Sequence, residues 1–254
     1  MPSFNKTYKL PFKFNIPNDT QSYLQKKSLL ARFIKFIKRY LYIVLKGQKN
    51  LEIFNIQSKH KNILWINLSA PSLGDSLMDL SSRIMIADKC VDLFTHKNNA
   101  HIYTDDHVFN HVYTKITDVE KFKYDLVIID SYSSRSINIK SKIASKASYV
   151  GMFGYYNGPE VNRVLFSFHQ MNHLLGYVNS ENEIKTLAKK SISISREDQD
   201  IVTKLNLPEK YITIVLGGEW RYRTYNKWEE VIDRLIFDDK ELNIVFVGSE
   251  NARS

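Results

Sequence analysis

Several features that would define a protein's class at once are missing from this sequence. It has one cysteine, Cys90, in 254 residues, so no disulfide can form within the chain, and this usage suits a reducing cytoplasm. The first residues lack the continuous apolar segment and the small-residue cleavage site of a secretory signal. No run reaches the roughly 18 uncharged apolar residues that would cross a bilayer. We therefore predict a cytoplasmic protein, and peripheral binding to the inner face of the cytoplasmic membrane stays open.

The short signatures of several enzyme classes are missing as well. The sequence has no Walker A loop, no GxGxxG fingerprint, and no HExxH, GxSxG, CxxC or zinc-finger spacing. His169 and His173 lie four residues apart on one predicted helix, a spacing that can bind zinc, but no cysteine or acidic partner accompanies them. Solvated or capped histidines are the preferred interpretation. We expect no metal and no bound cofactor.

Acidic residues are almost absent from the first 50 positions, which hold eleven lysines and arginines and one acid, Asp19. That segment carries a net charge of +10, and the rest of the chain carries −1. Residues 22–46 predict a helix, closed by Gly47, with a wide apolar sector and a basic opposite side. Such a helix either binds an anionic membrane surface or packs on the neighbouring domain with its lysines in water. Because the charge is confined to this helix, nucleic-acid binding is disfavoured.

Strands alternate with helices from residue 62 onward. Helices are predicted over 76–90 and 162–177, and short β-prone runs predict the strands between them, at 62–68, 91–95 or 100–104, 124–130 and 148–153. This order predicts an α/β fold with a doubly wound parallel sheet of the Rossmann-like kind.

The alternation stops at a polar stretch and then restarts. Residues 179–200 are weakly patterned and are typical of a linker between domains. Strands are predicted again at 211–216 and 243–248, with one helix between them. We therefore predict four parts: a basic N-terminal extension, a Rossmann-like domain, a linker and a partial second Rossmann-like domain, at 1–60, 61–178, 179–200 and 201–254.

A Gly-Asp-Ser sequence follows the first predicted strand. Ligands of doubly wound sheets bind beyond the carboxyl ends of the strands, so Gly74, Asp75 and Ser76 are placed to contact one. Gly74 would let the backbone turn and approach the ligand closely, and Asp75 would present a carboxylate at a helix start. The alternative is that Asp75 is an N-cap that satisfies free helix amides, and the spacing alone favours this.

Two further segments carry candidate binding residues. Asp130 and Arg135 follow the strand at 124–130, where substrate contacts are expected, although Asp130 also suits a strand-end cap. A second segment combines glycines, cations and a predicted helix start at Asn226, where Glu229 completes a capping-box pattern. It is a candidate phosphate-binding loop, and its candidate residues are Gly217, Gly218, Arg221, Arg223 and Lys227.

The order of these segments resembles glycosyltransferase family 9, the bacterial heptosyltransferases. The resemblance covers residues 62–250, and its pieces are Leu73–Met78, Tyr124–Ile128 with Arg135 and Ser136, Val150–Phe153, Leu174–Gly176, Tyr211–Gly218, Lys227 with Trp228, and Val245–Gly248. The sequence departs from the family at Asn226–Glu229, where a Lys-Arg-Trp-Pro sequence is usual. The family's later Asp-Ser-Gly-Pro-x-His stretch has no counterpart here, and the basic N-terminal helix is an addition.

What the resemblance implies is a GT-B architecture, truncated in its second domain, with the acceptor bound by the first domain and a nucleotide-sugar donor by the second. It implies that Asp75 is the general base of a metal-independent inverting transfer to a lipopolysaccharide-type or other glycan or glycolipid acceptor. As a shortened chain, the protein is open to a second interpretation. It would then be a non-catalytic membrane-surface binding protein, or an inactive remnant of such an enzyme.

Overall fold

The computed structural model describes residues 29–70, 72–152, 162–189, 191–215 and 225–248. The chain divides into two compact units, Met1–Ile194 and Ser195–Ser254. Both units consist of parallel strands and helices.

The first unit is organised around a five-stranded sheet in the order β3-β2-β1-β4-β5, and every neighbouring pair is parallel. Its strands are β1 (Asn62–Asn67), β2 (Cys90–Thr95), β3 (Phe109–Tyr113), β4 (Leu126–Ile129) and β5 (Ser148–Gly151). The strand order reverses between β1 and β4. In sheets of this type, that reversal is the topological switch point, where ligands bind at the carboxyl ends of the strands.

Helices connect these strands and cover the sheet. In the described part of the first unit they are α1 (Leu29–Leu45), α2 (Leu73–Asp79), α3 (Lys97–Ala100), α4 (Ser134–Ile143), α5 (Arg163–Leu174) and α6 (Glu181–Leu187). Single 3₁₀ turns or short 3₁₀ segments lie at Lys49–Leu51, Ser81–Ile86, His101–Tyr103 and Ile116–Asp118.

Alternate residues of the strands contribute side chains to two separate hydrophobic cores, one on each face of the sheet. Ile63 and Trp65 of β1 face the core to which α2 and α5 contribute. Leu64 and Ile66 face the other core, to which α1 and α4 contribute. Because both faces are covered, the central strands contain continuous apolar runs, at 63–66 in β1 and 126–129 in β4, as is usual in parallel sheets.

Helix α1 is part of this second core. Ile43 is 1% exposed, and Phe36 and Tyr40 pack against the same cluster. The helix ends near Gly47, whose φ of +66° lies in the left-handed region that favours glycine. Residues 22–28 of the predicted helix lie outside the described residues. The contacts therefore favour the interpretation in which the helix packs on the domain, and they make α1 a layer of that domain.

Most predicted strands are confirmed, and the differences have local causes. Between the two alternatives for the second strand, 91–95 is correct and 100–104 is helical. Strand β3 was not predicted, because it lies at the sheet edge and exposes Asn110 and His111, which interrupts its apolar pattern. The helix predicted over 76–90 ends at Asp79 and continues only as a 3₁₀ segment.

Residues 179–194 are a second difference from the sequence-based expectation. Ser180 and Glu183 form a capping box that begins α6, and Ile184 is fully buried against Val164 and Phe168 of α5. This stretch, predicted as part of a linker, therefore packs on the first unit.

The second unit contains α7 (Arg196–Lys204), β6 (Ile212–Val215), α8 (Trp228–Asp238) and β7 (Ile244–Val247) in its described part. Strands β6 and β7 pair in parallel with Ile212 opposite Ile244, as the strand–helix–strand pattern predicts. Within the described residues of both units, no helix is long and apolar enough to cross a bilayer.

Candidate functional site

The carboxyl ends of β1 and β4 bring the first set of predicted residues to one edge of the sheet. Because the strands are parallel, Asn67 at the end of β1 and Ile129 at the end of β4 lie at the same edge, which is also that of the switch point. The loop after β1 leads into α2, which carries Gly74, Asp75 and Ser76. The loop after β4 begins with Asp130 and leads into α4, which carries Arg135.

Asp75 is the third residue of α2, and its carboxylate is held from two directions. Ser72 is the N-cap residue, and its Oγ donates a hydrogen bond of 2.8 Å to Asp75. Arg163 Nη1 donates to the other carboxylate oxygen at 2.7 Å. The interpretation of Asp75 as the N-cap is therefore wrong. Its side chain remains 41% exposed, so a ligand can reach a carboxylate whose orientation is fixed.

The sequence reasoning missed the arginine that pairs with Asp75 and the second carboxylate bound to it. Arg163 begins α5, and its Nε and Nη2 donate to Asp79 at 2.9 and 2.6 Å. Asp79 lies one helical turn after Asp75 and is 1% exposed. Burial raises the pKa of the Asp79 carboxyl to about 7, against the opposing charge and hydrogen bonds of Arg163. One arginine therefore bridges an accessible carboxylate and a buried one.

A sequence signal for this cluster did exist. Asp75 and Asp79 have the i, i+4 spacing that places two like charges side by side on a helix, an arrangement that needs a cation nearby. The identity of that cation could not be read from the sequence, because Arg163 is 84 positions from Asp79.

Gly74 and Ser76 differ from the role that the sequence suggested. Gly74 lies in the first turn of α2 without a left-handed φ, and a Cβ there would meet no atom within 4 Å, so the fold itself does not require glycine. Ser76 is fully buried; its Oγ donates to Asn67 at 3.2 Å and lies 3.0 Å from the Tyr103 hydroxyl. Ser76 therefore fixes α2 against the end of β1, and a contact of its side chain with an acceptor stays a prediction.

Asp130 connects the two loops of the edge. It is fully buried and accepts hydrogen bonds from the Leu68 amide at 2.6 Å, from the Ser69 amide, from its neighbour Ser131 and from Ser136 Oγ at 2.7 Å. Four donors fill the acceptor sites of one carboxylate. This geometry favours the alternative in which Asp130 caps the strand end, and it explains how the loop before Asp75 is fixed.

The cations near this edge differ in exposure. Arg135 is the second residue of α4 and its side chain is exposed, where a ligand could contact it. Arg39 of α1 is partly buried, and burial lowers the pKa of its guanidinium while the negative charge of Asp130 opposes that shift. The N-terminal helix therefore contributes one charge close to the edge, which the sequence did not indicate.

The predicted phosphate-binding residues are described only in part. Gly217, Gly218, Arg221 and Arg223 lie outside the described residues. Lys227 is the N-cap residue of α8, it is exposed, and its Nζ forms a 3.3 Å ion pair with Glu230. The predicted capping box at Asn226 and Glu229 is not formed, because the helix begins one residue later and its N-cap makes no side-chain bond. The donor-binding assignment stays a prediction.

The two histidines on α5 do not form a metal site. His169 is 3% exposed, and His173 stacks on Tyr177 with 5.2 Å between ring centroids. Burial lowers the pKa of both imidazoles, which favours their neutral form, and His169 is not solvated. Within the described ranges, no three histidine, cysteine or acidic residues come together in a way that could hold a metal ion.

The first unit is thus an α/β domain with a parallel sheet, two covered faces and a carboxylate–arginine cluster at the switch-point edge. No family model and no curated protein sequence matches the chain. Among solved structures, a glycosyl transferase family 9 protein from Veillonella parvula DSM 2008 is 11% identical, with a TM-score of 0.49 over 77% of this chain and 72% of that one. Prephenate dehydrogenase from A. aeolicus is 13% identical, with a TM-score of 0.30 over 76% of this chain and 61% of that one. At these scores neither likeness assigns a function to the chain.

Proposed function

We propose that this protein is a glycosyltransferase that moves a sugar from a nucleotide-sugar donor to a glycan or glycolipid acceptor. One observation carries the proposal: a part-exposed and oriented carboxylate, Asp75, lies beside the switch point of a parallel sheet. It coincides with the Gly-Asp position of the sequence segments that resemble glycosyltransferase family 9. A heptosyl donor and a lipopolysaccharide-type acceptor are the finer form of the same proposal.

In the proposed reaction, Asp75 acts as the general base. Its carboxylate accepts the proton of an acceptor hydroxyl, and the hydroxyl oxygen attacks the anomeric carbon of the donor sugar. The bond from that carbon to the phosphate oxygen breaks on the opposite face, and the nucleoside diphosphate leaves with the electron pair. The configuration is inverted, and no metal ion takes part. Phosphate charge would be balanced by cationic side chains, with Arg221, Arg223 and Lys227 as candidates, and the backbone amides of Gly217 and Gly218 could donate hydrogen bonds to it.

The contacts of Asp75 suit a base that must keep one position. Ser72 and Arg163 each bind one carboxylate oxygen, and Arg163 is itself fixed by two bonds to buried Asp79. An oriented carboxylate loses less freedom when it approaches the acceptor hydroxyl. In this proposal Gly74 and Arg135 border the acceptor, and buried Ser76 and Asp130 support the loop around it.

The proposal is tested by Asp75→Asn in the full chain. Donors to be tested are ADP-heptose, UDP-glucose and GDP-mannose, with lipopolysaccharide core oligosaccharide as the acceptor. Asparagine keeps the size of the side chain but cannot accept the proton, so we expect kcat to fall about 10²–10⁴-fold. Donor affinity, measured by calorimetry, should stay nearly unchanged. Activity should persist in EDTA.

Asp88→Asn is the matched control, because Asp88 has an exposed side chain outside the cluster. It should leave both the rate and the affinity unchanged. Arg223→Ala should weaken donor binding and leave the dependence on Asp75 intact, because its proposed contact is with donor phosphate. Transfer at an ordinary rate that is indifferent to Asp75→Asn contradicts the role of Asp75 as the base. If the chain binds no sugar nucleotide, the proposal fails and a non-catalytic protein is favoured.

A further inference from the structure

Helix α1 exposes its most apolar stripe to solvent although the helix is packed on the domain. At 100° per residue, the packed residues Phe36, Tyr40 and Ile43 lie on one side of the helix. A second set of apolar residues lies more than 100° around the helix axis from this packed side. It is centred near Leu30 and Leu41, which are 67% and 52% exposed. The exposed stripe consists of Leu30, Ile34, Leu41, Val44 and Leu45.

The stripe lies in a strongly basic environment. Residues 29–51 contain six lysines and arginines and no acid. Lys38 of this set is exposed at one border of the stripe, and Lys46 and Lys49 are exposed just after the last residue of the helix. Outside the first 50 residues the chain carries a net charge of −1, so this surface differs in charge from the rest of the protein.

We propose that the exposed stripe of α1 and its flanking lysines bind the surface of an anionic phospholipid bilayer. Apolar side chains on one sector of a helix can enter the acyl-chain boundary while lysines beside that sector and at the end of the helix contact lipid phosphates. A second copy of this chain fits less well, because two such surfaces would bring like charges together. The packing of Phe36, Tyr40 and Ile43 keeps α1 on the domain while the stripe inserts. Vesicle binding needs neither donor nor acceptor, so the inference is independent of the proposed transfer reaction.

The test is flotation of the full chain with vesicles of phosphatidylcholine and phosphatidylglycerol in a 7:3 ratio, compared with pure phosphatidylcholine. The wild-type protein should float with the anionic vesicles and much less with the neutral ones, and 0.5 M salt should weaken binding. Lys38→Gln with Lys46→Gln should lower the partition coefficient about fivefold per lysine, the factor that corresponds to about 1 kcal/mol. Ile34→Ser with Leu41→Ser should lower it about tenfold or more.

Two control pairs carry the same chemical changes on exposed positions of the second unit. Ile201→Ser with Leu205→Ser and Lys204→Gln with Lys210→Gln should bind vesicles like the wild type. Hydrogen exchange in the wild type should show protection of residues 30–45 when anionic vesicles are added, a readout that needs no variant. Any one of three results would overturn the proposal. The protein could bind both vesicle types equally, or the stripe and lysine variants could bind vesicles as well as the wild type does. Light scattering could also show a dimer that Ile34→Ser with Leu41→Ser dissociates.

Discussion

At the residue scale, the cluster at the end of α2 joins two carboxylates and one guanidinium. Arg163 binds Asp75 through Nη1 and binds Asp79 through Nε and Nη2. With both carboxylates ionised the cluster carries one net negative charge, and with Asp79 protonated it is neutral. Asp79 is buried, and its pKa is raised to about 7, so this change of charge falls near neutral pH. Asp75, the accessible member, therefore lies next to a group that titrates near neutral pH.

Asp79→Asn tests that titration through stability. Between its ordinary pKa of 3.8 and about 7, the folded protein keeps a proton on Asp79 that the unfolded chain has released. The contribution of Asp79 to the free energy of unfolding is thus fully present below about pH 4 and is lost as pH rises through 7. Asparagine cannot ionise, so the variant should gain stability relative to wild type by up to about 1.4 kcal/mol per pH unit over this range. Urea unfolding from pH 4.5 to 7.5 measures the difference.

Asp88→Asn, on an exposed carboxyl, is the control and should show no such slope. A constant difference between Asp79→Asn and wild type across the range would mean that Asp79 is already ionised at pH 5 and that Arg163 outweighs the effect of burial.

At the element scale, the contact between the end of α1 and helix α4 contains a buried lysine. Lys140 of α4 is fully buried; its Nζ donates to Gln48 Oε1, just beyond α1, and lies 5.2 Å from the centre of the Tyr149 ring. No carboxylate pairs with Lys140 within the described residues. Burial lowers the pKa of its ammonium group to about 7. An uncompensated charge at this position opposes the packing of α1 wherever it is present.

Lys140→Met tests this contact. Between about pH 7 and the ordinary lysine pKa of 10.5, the unfolded chain holds a proton that the folded protein has lost, so wild-type stability should rise with pH in that range. Methionine fills a similar volume without a charge. The stability of the variant relative to wild type should therefore be greatest at pH 6 and should decline toward pH 10 in denaturant unfolding.

Lys142→Met is the matched control, because Lys142 is exposed on the same helix, and it should show no pH-dependent difference. If the advantage of Lys140→Met does not shrink as pH rises, the ammonium group stays protonated in the folded protein over this range, and burial has not lowered its pKa.

The same elements show what the sequence could and could not predict. Strands β1 and β4 were predictable because both faces of the sheet are covered, which produces continuous apolar runs such as Leu126–Ile129. The packing side of α1 was not predictable, because the helix is apolar on two sides. Its sequence pattern favours, as the buried side, the one that stays exposed in the structure. Asp75 was found from a local pattern. Arg163 was missed because its role depends on tertiary contacts between α2 and α5, which leave no periodic signal.

At the scale of the whole molecule, the boundary between the units at residue 194 has a physical basis. Arg83 and Asp106 form a buried ion pair at 2.7 Å, and Arg83 Nη2 also donates to the Ser191 carbonyl at 2.9 Å. Burial alone would raise the pKa of Asp106, but the hydrogen bonds and charge of Arg83 outweigh it and the pKa lies below its ordinary value. Ser193 Oγ donates to the same carboxylate at 3.2 Å. Immediately afterwards, Ser195 and Asp198 form the capping box that begins α7.

The two units differ in how much core they possess, and this leads to the last prediction. The first unit has two buried clusters around its sheet, whereas Ile214 is the one core residue among the described residues of the second. A two-stranded parallel sheet with its faces largely exposed has little hydrophobic stabilisation.

We expect a fragment of residues 1–194 to unfold cooperatively by calorimetry, with a Tm within a few degrees of the main transition of the full chain. A fragment of residues 195–254 should show no cooperative transition and a narrow spread of amide proton shifts. An independent cooperative transition of residues 195–254 would contradict this expectation, as would loss of the cooperative transition in residues 1–194.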